Sequence, residues 1–166
     1  MLFAAGKGTR MGDLTKDRPK PMIEVAGKPL IDHALQIANA ADVGPIVVNL
    51  HYLPQLLKAH LSGQGIVFSD ETDGLLETGG GLRKALPLLC SNPVLTMNTD
   101  AVWNGPNPIE TLKNAWQPQM EALLLLVKKQ NVSGHLGAGD FGINAEGHLH
   151  RAPDLIYTGV QIIRTD

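Results

Sequence analysis

Residues 1–11, MLFAAGKGTRM, join a short apolar run to a glycine loop, and this stretch decides the fold class. Met1 to Ala5 has the length and composition of a strand, and Gly6 follows it directly. Open α/β sheets bind phosphates outside the carboxyl ends of their strands, where glycines let backbone N–H groups approach the anion. The stretch therefore predicts a first strand that runs into an anion-binding loop. An ordinary surface turn is the alternative interpretation.

The spacing of the glycines disfavours two common phosphate-binding loops. The dinucleotide fingerprint G-x-G-x-x-G needs a third glycine at the position that Met11 occupies here. The P-loop pattern G-x-x-x-x-G-K-[ST] occurs nowhere in the chain. A dinucleotide-binding oxidoreductase and a P-loop NTPase therefore both lose support.

Positive charge is concentrated around this loop. The whole chain has 14 Lys and Arg residues against 16 Asp and Glu residues, so its formal net charge of -2 is no footprint for nucleic acid or an anionic membrane. Residues 7–20 differ, because five basic residues outnumber two acidic ones and give a local charge of +3. Arg10 offers a planar fork for phosphate oxygens, and Lys20, between two prolines, offers a compact point charge. A small, localised anion is the predicted partner.

The rest of the chain alternates apolar runs of strand length with segments of helical periodicity, which is typical of βαβ units. We predict an α/β fold: a Rossmann-like, mostly parallel sheet with helices on both faces and a β-rich C-terminal part. With 166 residues and 43% hydrophobic residues, the chain can form one core, so a single domain over residues 1–166 is expected. Predicted strands lie at 46–50, 66–68, 94–97, 122–127, 141–143, 148–150 and 157–163. Predicted helices lie at 30–41, 78–86 and 109–116, with a further short helix that has Pro54 in its first turn.

Several other features of the sequence exclude classes of protein. The longest apolar run, Ala122 to Val127, is far shorter than the roughly 20 residues that span a bilayer. A single cysteine, Cys90, cannot form an internal disulfide, so a reducing cytoplasmic location is predicted. His148 and His150 share a strand face but lack the third ligand that catalytic zinc requires. Asn49, His51 and Tyr52 follow a strand end and could border a ligand pocket there, but we interpret them as ordinary loop residues.

Two strings, residues 2–11 (LFAAGKGTRM) and residues 18–22 (RPKPM), resemble the signature of the sugar-1-phosphate nucleotidyltransferase family. Residues 25–30 (VAGKPL), 76–81 (LETGGG) and 98–100 (NTD) extend the resemblance across most of the chain. The resemblance implies an enzyme that joins a nucleoside triphosphate to a sugar 1-phosphate and releases pyrophosphate. It implies these two small-molecule partners, Mg²⁺ as cofactor, and no nucleic-acid or membrane partner.

The resemblance also implies roles for individual residues. It makes Arg10, Lys20 and Asp100 catalytic and gives Asp100 the metal, which suits the preference of Mg²⁺ for one or two carboxylates with substrate phosphates. It assigns Asp140 and Gly159 to the sugar phosphate. The residues alone leave other interpretations open: Asp100 as a helix cap, the glycines of residues 79–81 as a tight turn, and residues 139–141 and 157–160 as a hairpin and a plain strand. The implied nucleotide-binding residues are Ala5, Gly6, Gly8, Thr9, Arg10, Lys20, Glu77, Thr78, Gly79 and Asn98.

Within the family, residues 76–81 most resemble the N-acetylmuramate-1-phosphate uridylyltransferases, which use UTP. Mannose-1-phosphate guanylyltransferases are one alternative, and a non-catalytic sugar-nucleotide-binding module is another. By this resemblance, residues 1–130 are the nucleotide-binding core and residues 131–166 begin the sugar-phosphate-binding part. The family's second metal-binding aspartate is expected beyond Asp166, so we expect a truncated chain.

Overall fold

A mixed sheet of eight strands organises the computed structural model, which describes residues 1–166. The strands are β1 Leu2–Phe3, β2 Glu24–Val25, β3 Lys28–Pro29, β4 Val47–Leu50, β5 Val67–Asp70, β6 Val94–Asn98, β7 Ala122–Lys128, β8 Phe141–Ile143, β9 Leu149–Arg151 and β10 Leu155–Ile163. The α-helices are α1 Leu30–Ala40, α2 Pro54–His60, α3 Glu77–Leu89 and α4 Pro108–Ala115. Short 3-10 segments occur at Thr9–Thr15, Lys20–Met22 and Lys129–Asn131. None of the helices combines the length and hydrophobicity needed to cross a membrane.

The sheet has a parallel half and an antiparallel half. Its order is β5-β4-β1-β6-β10-β8-β9, with β7 also paired to β10, while β2 and β3 form a separate hairpin. Strands β5, β4, β1 and β6 are parallel neighbours. From β10 onwards every pairing is antiparallel. The predicted Rossmann-like α/β fold with a β-rich C-terminal part is therefore confirmed.

The helices cover both faces of the sheet, as predicted, because neighbouring residues of a strand point to opposite sides. Leu2, Val48 and Met97 belong to the larger buried cluster, which also contains residues of α1 and α4. Met1, Val47 and Val94 belong to a second cluster on the other side, where Ala85 and Leu89 of α3 pack against them. Consecutive residues of one strand thus contribute to two separate cores.

Helix α3 departs from the prediction at both ends. We predicted a helix over residues 78–86, but the helix begins at Glu77, has no side-chain cap, and continues through Pro87 to Leu89. Pro87 lacks the N–H that would bond to the preceding turn, but the next turn still closes, because Cys90 N donates to Leu86 O at 3.3 Å. Burial of Leu89 in the core offsets the lost bond.

Strand β10 contains a bulge beside β6. Its register against β7 shifts between Tyr157 and Gln161, and Gly159 in this interval has a φ of +79°. A Cβ atom at Gly159 would lie 2.8 Å from Cβ of Asn98 and 2.4 Å from its Nδ2. Only glycine satisfies both the backbone conformation and the close approach of the two strands.

Replacing Gly159 should therefore destabilise the fold more than replacing a glycine with the same backbone conformation and free space. Gly147, in the turn between β8 and β9, is the matched control, because its φ is +84° and a Cβ atom there would meet nothing within 4 Å. We expect Gly147→Ala to cost about 1 kcal/mol and Gly159→Ala about 1–3 kcal/mol more, measured as free energy of unfolding in urea. Equal losses in the two variants would contradict the steric account.

Candidate functional site

The candidate site lies where the parallel strands end. Strands β5, β4, β1 and β6 run in the same direction, so the segments that follow them meet at one edge of the sheet. Ala4 to Gly8 leave β1, Glu71 leaves β5, and Thr99 and Asp100 leave β6. The Thr99 hydroxyl donates to the backbone oxygen of Phe3 at 2.8 Å and ties the end of β6 to the end of β1.

The glycine loop is packed against the segment that carries Lys20. Gly8 adopts a φ of +66°, and a Cβ atom there would lie 2.9 Å from Cγ2 of Thr15 and 3.0 Å from Cβ of Lys20. The Thr15 hydroxyl donates to Gly8 O at 3.2 Å. Gly6 has open space around it, and Thr9 is exposed, so the outer side of the loop is open to a ligand.

The local excess of positive charge is divided by ion pairs. Lys16 Nζ lies 2.7 Å from Asp13, and Arg18 Nε lies 3.1 Å from Asp17, which neutralises these two cations within the loop. The Arg18 hydrogen bond also holds the pKa of the Asp17 carboxyl below its usual range. Lys7 and Arg10 are exposed and belong to none of the ion pairs in the structure. The cations of the loop that belong to no ion pair are therefore Lys7 and Arg10, while Lys20 is paired outside the loop.

Lys20 contacts Asp100 directly, although 80 positions separate them in the chain. The Nζ to Oδ2 distance is 2.6 Å, and the two side chains are 25% and 43% exposed. The carboxylate therefore already accommodates a cation and is accessible from solvent, which fits the donor set of a divalent metal site. No three His, Cys, Asp or Glu side chains group together as a metal site in residues 1–166. A metal at Asp100 would thus need oxygens from substrate phosphates.

The three glycines at the start of α3 have different surroundings. A Cβ atom added at Gly79 would have no atom within 4 Å. At Gly80 it would lie 3.0 Å from Cβ of Leu76, and at Gly81 it would lie 2.7 Å from Oε1 of Glu71. Packing inside the protein explains Gly81, whereas Gly79 faces open space together with the exposed residues Glu77 and Thr78.

Two buried polar residues escaped the sequence analysis. Asn49 lies inside β4 and is 3% exposed, so its interpretation as an ordinary loop residue is wrong. Its Oδ1 accepts from Ala4 N at 2.7 Å, and its Nδ2 donates to Oε1 of Glu71 at 2.8 Å. Glu71 is 1% exposed. The sequence did contain a signal for Glu71. It is a carboxylate that directly follows a strand, and Asp100 similarly follows β6.

The residues assigned to the sugar phosphate lie along β10 at the same edge. Oδ2 of Asp140 accepts from Tyr157 N at 2.9 Å, which anchors Asp140 beside the bulge, and Gly159 packs on Asn98 at the end of β6. The Tyr157 ring meets Phe141 edge to face at 6.4 Å. Burial raises the pKa of Tyr157 to about 12, so its hydroxyl stays neutral at ordinary pH.

The structure thus places every predicted site residue near one edge of the sheet, but the degree of contact varies. Lys20 and Asp100 touch, as do Asn98 and Gly159, whereas the side chain of Arg10 is free in solvent. A cavity of about 290 Å³ at the opposite edge contains none of these residues. The candidate site is therefore an open surface formed by loops.

Comparison with known proteins agrees with this arrangement. Residues 1–141 match the MobA-like NTP transferase domain family. The chain is 41% identical to the N-acetylmuramate alpha-1-phosphate uridylyltransferase of Caulobacter vibrioides, over all of this chain and 75% of that protein. It is 42% identical to the protein of the same name from Neisseria meningitidis serogroup B, over 61% of this chain and 46% of that one. A mannose-1-phosphate guanyltransferase of Gibberella zeae is 34% identical over 64% of this chain and 31% of its own length.

The solved structure of HddC from Yersinia pseudotuberculosis superposes with a TM-score of 0.75 and 19% identity, over 98% of this chain and 75% of that one. At this identity the likeness shows a shared fold alone. The family match, by contrast, extends over residues 1–141, and the Caulobacter relative aligns over the full chain. The chain therefore belongs to the MobA-like NTP transferase domain family, as one of its sugar-1-phosphate nucleotidyltransferases.

Proposed function

We propose that this chain transfers the uridylyl group of UTP to N-acetylmuramate 1-phosphate and releases pyrophosphate. The observation that carries the proposal is the contact between Lys20 and Asp100 beside the open glycine loop. The contact sets an ammonium group beside a carboxylate, and these two groups would suit the phosphates and the metal of a bound triphosphate. Support for uracil and N-acetylmuramate comes from the names of the Caulobacter and Neisseria relatives.

The proposed chemistry is an in-line displacement that needs no protein nucleophile. An oxygen of the sugar 1-phosphate attacks the α-phosphorus of UTP, and the bond from that phosphorus to the bridging oxygen of the β-phosphate breaks. Pyrophosphate leaves with this oxygen. Such reactions depend on positioning and charge neutralisation. Arg10 and Lys20 would hold the triphosphate oxygens, with the backbone of Gly6, Gly8 and Thr9 around them. Mg²⁺, held by Asp100 and phosphate oxygens, would supply further neutralisation of the triphosphate charge.

The remaining residues divide between the two substrates. Glu77, Thr78 and Gly79 would border the nucleobase, with Asn98 and Ala5 at the floor of the nucleotide site. Asp140, whose Oδ2 is held by Tyr157 N, would present Oδ1 to a sugar hydroxyl, and Gly159 would give the sugar phosphate room at the bulge. Residues 1–130 would then act as the nucleotide-binding core and residues 131–166 as the start of the sugar-phosphate-binding part. This reaction would serve peptidoglycan recycling in the cytoplasm.

A guanylyl transfer to mannose 1-phosphate is the second candidate, because a relative of that name is 34% identical over 64% of this chain. A panel of the four nucleoside triphosphates with several sugar 1-phosphates, assayed by pyrophosphate release in the presence of Mg²⁺, separates the two. We expect UTP with N-acetylmuramate 1-phosphate to give the highest kcat/KM. Preference for GTP would contradict the uridylyl assignment, and binding of UDP-sugar without any release of pyrophosphate would favour a non-catalytic module.

Removal of the Arg10 side chain should slow the reaction strongly. Losing one preorganised donor to a developing negative charge typically costs about 3 kcal/mol of activation free energy, so we expect Arg10→Ala to lower kcat by about a hundredfold or more. Arg164→Ala is the matched control, because Arg164 follows β10 at the opposite edge, where Ile163 pairs with Val94 at the start of β6. An unchanged kcat in Arg10→Ala would remove Arg10 from the mechanism.

Asp100 should set the requirement for magnesium. We expect Asp100→Asn to raise the Mg²⁺ concentration for half-maximal rate by about tenfold or more, because the carboxylate is the protein's own metal ligand. The matched control is Asp42→Asn, at an exposed position in the segment between α1 and β4, whose φ of +50° asparagine tolerates well. A magnesium titration that is the same for Asp100→Asn and the wild type would show that the metal is held elsewhere.

A further inference from the structure

Glu71 is buried in the middle of the candidate site and has no part in the mechanism above. Its side chain is 1% exposed, and no lysine, arginine or histidine forms an ion pair with it. Burial of a carboxyl group is costly unless hydrogen bonds compensate it. Oε1 accepts from Asn49 Nδ2 at 2.8 Å, and Oε2 accepts from Leu76 N at 3.2 Å. The partners of Glu71 therefore indicate why the group is there.

These partners connect Glu71 to the two segments that would hold the two ends of a nucleotide. Through Asn49, the carboxyl group is connected to Ala4 N, directly after β1 and two residues before Gly6 of the glycine loop. Through Leu76 N, it is connected to residues 76–81, which we call the base loop. A chain of three hydrogen bonds, at 2.7, 2.8 and 3.2 Å, thus joins the glycine loop to the base loop inside the protein. Buried networks of this kind hold their members in one arrangement.

The base loop needs such an anchor because its backbone is strained. Glu77 has a φ of +58°, a conformation that is unfavourable for a residue with a long side chain. The residue before it, Leu76, is held by Oε2 of Glu71. Four residues after it, Gly81 lies so close to the same carboxyl group that a Cβ atom would be 2.7 Å from Oε1. Glu71 therefore contacts the base loop on both sides of the strained residue.

We propose that Glu71, with Asn49, is a positioning residue for nucleobase recognition: it sets the base loop at a fixed place relative to the glycine loop. The proposal rests on the nucleotide site described under the proposed function. If the proposal is correct, the affinity for the base depends on Glu71, whereas the affinity for the phosphates alone does not depend on it. Inorganic tripolyphosphate, which has the phosphates of UTP without the base, is the probe that separates the two effects.

The variants are chosen by counting the hydrogen-bond donors and acceptors that each one places between Ala4 and Leu76. In Glu71→Gln the amide must point its NH₂ group either at Asn49 Nδ2 or at Leu76 N, so two donors face each other in either orientation. In the double variant Asn49→Asp/Glu71→Gln, Asp accepts from Ala4 N and from the glutamine NH₂, and the glutamine oxygen accepts from Leu76 N. All three hydrogen bonds and the total charge are then restored, with the direction of the middle bond reversed.

Dissociation constants of UTP and of tripolyphosphate, measured by calorimetry on the full chain, test the proposal. We expect Glu71→Gln to weaken UTP binding about fivefold or more and tripolyphosphate binding less than about twofold, since one unsatisfied buried donor typically corresponds to a factor of about five to 150. The double variant should recover UTP affinity to within about threefold of wild type. The proposal would be overturned if Glu71→Gln weakened binding of both ligands equally or left the UTP affinity unchanged. It would also be overturned if the double variant regained the melting temperature of the wild type but not its UTP affinity.

Asp73→Asn is the matched control, because it removes one negative charge from an exposed position two residues away. It should bind both ligands like the wild type, and a UTP-selective loss there would also overturn the proposal.

If Glu71→Gln does not fold, Gly81→Ala replaces it, since the added Cβ pushes the helix off the carboxyl group and should give the same selective loss. Wild-type protein that binds UTP but releases no pyrophosphate would disprove the proposed function alone, and these binding comparisons would still decide the role of Glu71. Wild-type protein that binds no nucleoside triphosphate would disprove both.

Discussion

The parallel pairing of β1 with β4 on one side and β6 on the other is the constraint on which the rest of the structure depends. Leu2 is aligned with both Val48 and Met97, so the three strands end together. The segments that follow these strands therefore meet at one edge of the sheet, and the strand pairing alone brings them together. Lys20 and Asp100 touch for this reason, since the glycine loop leaves β1 and Asp100 follows β6.

The electrostatics of the site depend on which cations are paired with carboxylates and on where those carboxylates lie in the fold. Lys16 and Arg18 have acidic neighbours along the chain, and such exposed pairs contribute little to stability. Lys20 instead reaches a partner on another strand, and Arg10 has none. Binding of a triphosphate with its metal would replace the contact between Lys20 and Asp100 by contacts of each with the ligand. Opposite charges are therefore already paired where the ligand would separate them.

Most elements of the fold could be predicted because periodicity and β-branched runs are local signals. Helix α3 shows where these signals fail. Its start depends on the backbone of Leu76 being held by Glu71, and its continuation past Pro87 depends on Leu89 being buried. Neither contact is visible in the local sequence. The glycines at its start form one run in the sequence, yet Gly79 faces open space and Gly81 packs on Glu71.

The sequence by itself determined the glycine loop, the cluster of cations around it, the alternation of strands and helices, and the residues that resemble the nucleotidyltransferase family. Spacing and composition carry these features because each depends on residues that are near one another in the chain. Tertiary structure alone decided which cations remain free, that Lys20 meets Asp100, and that Asn49 and Glu71 connect the two loops of the candidate site. Those outcomes depend on strand order and on distances between segments far apart in sequence, where no local pattern reports which side chains will meet.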